Sequence, residues 1–197
     1  NSIINFIALL GWHPKGNDEI LSLSQLINLF SLDRVQKSGA IFDLNKLKWI
    51  NSEYTKHLPN TVFSELITNV LVKNNIDVTD NNKLTHVINL CKKRITNVNG
   101  AYEESKMFYD NIIIDKNYHS LINNNNAKTL IKFWINRCSK MLSFNEKNIL
   151  NLIKETETQL SIKGKDLYFP LRISLYGDPK GPDIATICII LGKEEVI

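Results

Sequence analysis

The residues in this chain best suited to chemistry are cations. Arg172 is the first. It sits in Tyr168–Gly192, a stretch with one arginine, one lysine, three prolines and three glycines. A guanidinium is a planar fork of five donors that can grip the edge of a base, phosphate or carboxylate, or stack on a ring. Pro170 fixes the backbone just before Leu171 and Arg172. The composition predicts a stiff loop around Arg172, with a short extended piece, facing a second turn shaped by Gly177, Pro179, Gly181 and Pro182. Pro182 is expected to start a helix, whose free amides favour an electron-rich ligand. Ile184, one turn in, would supply an apolar wall. The plain alternative is a structural arginine that ties a loop to a helix end.

Three further groups are basic. Lys92-Lys93-Arg94 is a run, Lys163 and Lys165 precede Arg172 and Lys180, and Lys46 and Lys48 flank a segment with Trp49. Each also reads as a solvated face. The formal net charge of the 197-residue chain is only +4. A nucleic-acid site would therefore have to come from local clustering rather than from a basic surface overall.

Other chemistries find no support in the pattern. Cys91, Cys138 and Cys188 are odd in number and far apart, so a disulfide framework is not expected. The four histidines show no ligand spacing, and no metal site is expected. There is no glycine-rich phosphate loop and no nucleophile elbow. The apolar run Ile3–Gly11, interrupted by Asn5, is far too short to span a bilayer and lacks the marks of a signal peptide. No residue set reads as catalytic. The abrupt helical start at Asn1 suggests the cut end of a longer protein.

The elements that must position these residues are helical. Gly11 closes the first apolar segment, Ser22-Leu-Ser-Gln25 matches a capping box, and Leu23–Phe30 follows as a short helix. Ser38-Gly39 is a loop signal. Asp43 caps a helix that runs toward His57, with Pro59 stopping it; Ile41, Leu44, Leu47 and Ile50 form its inner face, and Trp49 reads as core. Val62, Leu66, Ile67, Val70 and Leu71 form the next stripe, and Leu84, Val87, Ile88 and Cys91 another, ending near Arg94. Asn123–Asn126 reads as a loop. A helix carries Leu130 to Ile135, and Ser143-Phe-Asn-Glu146 reads as a second capping box. Pro182 and Gly192 bracket the last helix. The fold class is all-α, with about eight or nine modest helices.

Two long stretches carry a resemblance. Residues 161–194, SIKGKDLYFPLRISLYGDPKGPDIATICIILGKE, combine a K-x-G-K run, then P-L-R, a glycine, and a Pro-led helix ending in L-G-K-E. Residues 5–14, NFIALLGWHP, and 21–51 lead to F-D-x-x-K-L-x-W-x-N at Phe42–Asn51. Together they resemble the part of bacterial glutamyl-tRNA synthetases, class I enzymes, that follows the K-M-S-K-S loop. The resemblance spans the whole chain, with few specific residues between Thr61 and Lys154. It implies a stem-contact helical domain over residues 1–58 and a two-part α-helical anticodon-binding cage over 59–122 and 123–197. By the same resemblance the partner is tRNA(Glu), the parent protein ligates glutamate to that tRNA in the cytoplasm as a monomer with no membrane attachment, and ATP and magnesium belong to a catalytic domain upstream of Asn1. This fragment would hold no cofactor and have no activity alone.

The resemblance also assigns residues. Arg94 would read the last anticodon base. Gly181, Pro182, Ile184 and Ala185 would line the anticodon pocket with Arg172, Gly181 standing where a small hydroxyl residue is common. Lys46, Lys48, Lys163 and Lys165 would contact the tRNA backbone. Two other readings stand beside this one: a non-enzymatic helical protein-interaction scaffold, and the helical cage of a class I lysyl-tRNA synthetase. Ser139–Ser143 (SKMLS) is only faintly like K-M-S-K-S; the second lysine is missing, and Met141 and Leu142 read as a helix end packed inward.

Overall fold

A computed structural model describes residues 1–37 and 39–197. Ser38, half of the expected Ser38-Gly39 loop signal, lies outside the described residues. The described residues form eleven α-helices and four 3-10 turns, so the fold is all-α. They divide into two compact units, residues 1–75 with 91–104, and residues 76–90 with 105–197. Among the described residues no helix is long and apolar enough to cross a membrane.

In the first unit α1 (Ser2–Gly11), α2 (Leu23–Leu29), α3 (Leu44–Lys56) and α4 (Asn60–Lys73) supply most of the structure. The capping box at α2 forms as expected: the Gln25 amide donates to Ser22 Oγ at 3.3 Å, and the Ser22 amide donates to Gln25 Oε1 at 2.8 Å. Asp43 caps α3 by accepting from the amides of Asn45 and Lys46. Helices α1 and α3 pack through Phe6, Leu9 and Ile50, with Leu47 and Tyr54 alongside.

Two expectations fail here. Ile41 and Leu44 are exposed, because the helix begins only at Leu44 and the covered face is the one carrying Leu47, Ile50 and Tyr54. Trp49 is exposed as well, at 44%. It neighbours Ile50 in sequence and so sits about 100° around the helix from the buried face. Asn5, which interrupts an apolar run in the sequence, is fully buried. Its Nδ2 donates to the Glu19 carbonyl at 2.8 Å, and the Leu21 amide donates to its Oδ1 at 2.6 Å. In α4 the buried stripe is Phe63, Ile67 and Leu71, with Val62 and Leu66 on its exposed flank.

Helix α5 (Asn81–Arg94) ends at Arg94, as its basic last turn suggests. A short helix α6 (Ala101–Ser105) follows. The second unit contains α7 (His119–Asn123), α8 (Asn125–Ser139), α9 (Glu146–Gln159), α10 (Lys165–Tyr176) and α11 (Ile184–Val196). Helix α10 packs on α7, α8 and α11, and α11 on α8 and α9.

The asparagine run is not a loop: Asn124 alone separates α7 from α8, and its Oδ1 accepts from the Ala127 amide at 2.9 Å. The second capping box is displaced by two residues, since Asn145 is the cap and accepts from the Asn148 amide. Leu142 points to solvent rather than inward. The expected extended piece is helix α10, which runs through Pro170. Proline removes one amide but holds φ near the helical value, and the buried Leu167, Leu171, Ile173 and Leu175 keep the segment helical.

Candidate nucleic-acid interface

Arg172 lies on α10, not in a loop. The loop is the segment that follows, residues 177–183, and Arg172 holds it. Its Nε donates to the Pro182 carbonyl at 2.9 Å and its Nη1 to the Pro179 carbonyl at 2.7 Å. The helix stops at Gly177, which has φ of +83° and whose amide donates to Ile173 O. A Cβ there would stand 2.8 Å from Met107 Cε, so both conformation and space call for glycine. Asp178 Oδ1 accepts from the Lys180 amide at 2.7 Å and tightens the turn.

Gly181 has a steric reason of its own. A Cβ at this position would stand 2.7 Å from Cε1 of Tyr176 and 2.9 Å from its Cδ1. The Tyr176 ring occupies the room that any side chain would need. Helix α11 then begins two residues later than expected, at Ile184 rather than Pro182. Asp183 caps it, with Oδ1 accepting from the Thr186 amide at 2.9 Å and Oδ2 accepting from Thr186 Oγ1 at 2.7 Å. The end of the helix therefore presents a carboxylate, which opposes the expected welcome for an electron-rich ligand. Ile184 is the first helical residue and, like Ala185, only 1% exposed. Both point into the core, so Ile184 is a support beneath the loop rather than an exposed wall. Gly192, with φ of +78°, breaks α11 near its end.

Lys163 and Lys165 are exposed at the other end of α10. Lys165 Nζ lies 6.0 Å from the centre of the Phe169 ring. In the first unit, Lys46 is half-buried and pairs with Glu19 at 2.5 Å, whereas Lys48 is exposed with no ion pair among the described residues. Arg94 donates from Nε to Glu104 Oε1 while keeping 41% of its side chain exposed. Its neighbour Lys92 bonds to Asn60 Oδ1 and lies over the Phe63 ring. The sequence thus located the cations but not the acceptors that already engage Arg172, Arg94, Lys92 and Lys46.

The sequence pattern of the anticodon binding domain matches residues 55–197. The chain belongs to the anticodon-binding domain family. The chain is similar over all of its length to the glutamate–tRNA ligase of Mycoplasma mycoides subsp. mycoides, at 35% identity and 41% of that protein's length. A glutamate–tRNA ligase of Carboxydothermus hydrogenoformans is 31% identical over 98% of this chain and 42% of its own. Among solved structures, a glutamate tRNA ligase from Elizabethkingia meningosepticum, in complex with its amino acid, superposes with a TM-score of 0.87 at 31% identity, over 99% of this chain and 39% of that one. The chain thus spans about two fifths of the length of the relatives it matches.

Proposed function

We propose that this chain is the tRNA-contacting part of a glutamate–tRNA ligase and that it binds tRNA(Glu) through the anticodon and the stem. One observation carries the reading: the likeness to glutamate–tRNA ligases runs through the whole chain, at 31–35% identity in the three compared relatives. Residues 1–58 contact the stem, and residues 59–122 and 123–197 form the two parts of the anticodon cage. Arg94 reads the last anticodon base. Arg172 and Gly181 present the loop surface to the anticodon, with Pro182, Ile184 and Ala185 as its buried support. Lys48, Lys163 and Lys165 contact phosphates, and Lys46 does so in competition with Glu19. ATP and magnesium serve the ligation reaction in a catalytic part of the parent protein. The parent works in the cytoplasm as a monomer, away from membranes.

The test is a titration with tRNA(Glu) and with a tRNA of another specificity at two ionic strengths. The chain should prefer tRNA(Glu), and binding should weaken as salt rises. Lys48→Ala should weaken both tRNAs alike and lower the salt slope by about one, as the loss of one phosphate contact would. Lys46→Ala should lower it less. Arg94→Gln should relax discrimination at the last anticodon base more than it lowers affinity. Equal binding of both tRNAs by the unmutated chain would overturn the reading.

A further inference from the structure

A second site lies on α10, one end of the helix away from the Arg172 loop. The start of α10 and the start of α8 enclose an open cavity of about 500 Å³. Asn125 and Asn126 line it from one side, and Lys165, Asp166, Phe169 and Pro170 from the other. Of these lining residues only Lys165 has an assigned role, as a phosphate contact.

Its chemistry is that of a nucleotide pocket. Phe169 is half-buried and offers a ring for stacking. The carboxamides of Asn125 and Asn126 make no hydrogen bond among the described residues, unlike that of Asn124, which is fully used in capping α8 and in bonds to Ser120 O and Leu121 O. Two free carboxamides can donate to and accept from a base edge. Pro170 has no amide, so the Asp166 carbonyl is left without its helical donor and can accept from an exocyclic amine. The Asp166 carboxylate disfavours a phosphate deep in the cavity. Lys165, exposed above the Phe169 ring, favours one at the rim.

The placement adds a direction. Lys165 and Arg172 are seven residues apart and so share one face of α10, about 10 Å along its axis. Phe169 lies between them on that face. We infer that this cavity takes one splayed nucleotide of the tRNA anticodon loop next to the anticodon, with its base stacked on Phe169 and held by Asn125 and Asn126, and its phosphate on Lys165. The inference rests on the proposed tRNA-binding reading.

The experiment uses a hairpin RNA with the glutamate anticodon in its loop, and a set of the same hairpin carrying a single abasic residue at each loop position. Phe169→Leu keeps the apolar packing and removes the aromatic face; Asn126→Ala changes only an exposed side chain. Each variant is checked by thermal melt. Phe169→Leu should weaken the unmodified hairpin about tenfold, within the range for losing one stacked base. One abasic position outside the anticodon triplet should cause a similar loss, and the two losses should not multiply. Asn126→Ala should reduce affinity at that same position. A free mononucleotide, such as CMP, should compete poorly. If the hairpin binds the unmutated chain but ignores both variants, this pocket is overturned and the tRNA reading stands. If CMP binds the cavity while the hairpin ignores Phe169, the ligand is a free nucleotide and the inference fails. If the hairpin does not bind the unmutated chain at all, both fall.

Discussion

Arg172 uses two of its five donors on its own loop, which alters what its loss would do. Removing the side chain leaves the carbonyls of Pro179 and Pro182 without the donors they now have. A partly buried group that loses its partner costs about 1–3 kcal/mol. For a chain of this size each kcal/mol lowers the melting temperature by about 2–4 °C. Arg172→Ala should therefore lower the melting temperature by several degrees and weaken tRNA together. Arg172→Lys should recover little of either, because an ammonium cannot bridge two carbonyls in the fork geometry. A melt of both variants beside a binding titration checks this, and an unchanged melting temperature in Arg172→Ala would mean that the tie does not hold the loop. Gly181 makes a second case. Its Cβ would meet a ring of Tyr176, a side chain that is itself buried, so the ring cannot simply swing away. Gly181→Ala should cost about 1–3 kcal/mol as overpacking, read as a lower denaturation midpoint.

At the scale of elements, start signals were read better than faces. The Ser22 box and the Asp43 cap were legible because each is a local bond between residues two or three apart. The second box failed because Ser143 and Asn145 both compete to cap. Asn145 won with its own bond to the Asn148 amide, while Ser143 Oγ accepts from Asn145 Nδ2. Periodicity gives a stripe on α3 and α4 but not which neighbour covers it, and in α4 the buried residue is Phe63 rather than the adjacent Val62. Asn5 was invisible as a core residue because its partners, Glu19 O and the Leu21 amide, are backbone groups more than a dozen residues away. Pro170 reads in sequence as stiffening a loop, but the buried Leu167, Leu171, Ile173 and Leu175 around it outweigh one lost amide and keep the segment helical. Of the candidate site, the cations and glycines were legible, and the carbonyls and ring that they meet were not. The asparagine run shows the cost of reading composition: Asn124 is a cap that also bonds back to α7 through Ser120 O and Leu121 O. Asn124→Ala should destabilise the chain by about 1 kcal/mol, the usual value of a lost cap, and Asn124→Asp should retain most of the stability. Thermal melts of the pair check this; equal values for Ala and wild type would mean that the cap contributes nothing.

At the scale of the whole molecule, the three cysteines link burial to pH. All are free and buried, Cys91 in the first unit and Cys138 and Cys188 in the second. Burial pushes the Cys91 thiol from the ordinary 9.0 up to about 12, with the nearby Glu104 adding to the effect. Burial pushes Cys138 up to about 11, partly offset by Lys193. Cys188 is raised as well, first by burial and then by Cys138 and Asp183. In the folded chain these thiols keep their protons where the unfolded chain has already released them. Below pH 9 both states are protonated and the thiols have no effect on the pH dependence of folding. Above it the unfolded state binds fewer protons, so stability falls as pH rises. The decline should continue to about pH 11 for Cys138 and about pH 12 for Cys91, at on the order of 1 kcal/mol per thiol per pH unit. Denaturant melts between pH 8 and pH 11, with Cys91→Ala and Cys138→Ala beside the wild type, check this. Each variant should start less stable for loss of packing yet lose less stability as pH climbs. The native chain should also react slowly with a thiol reagent at pH 8 and release three equivalents once unfolded. Fast labelling of the native chain, or a pH slope that the substitutions leave unchanged, would show that the thiols are not held in the core.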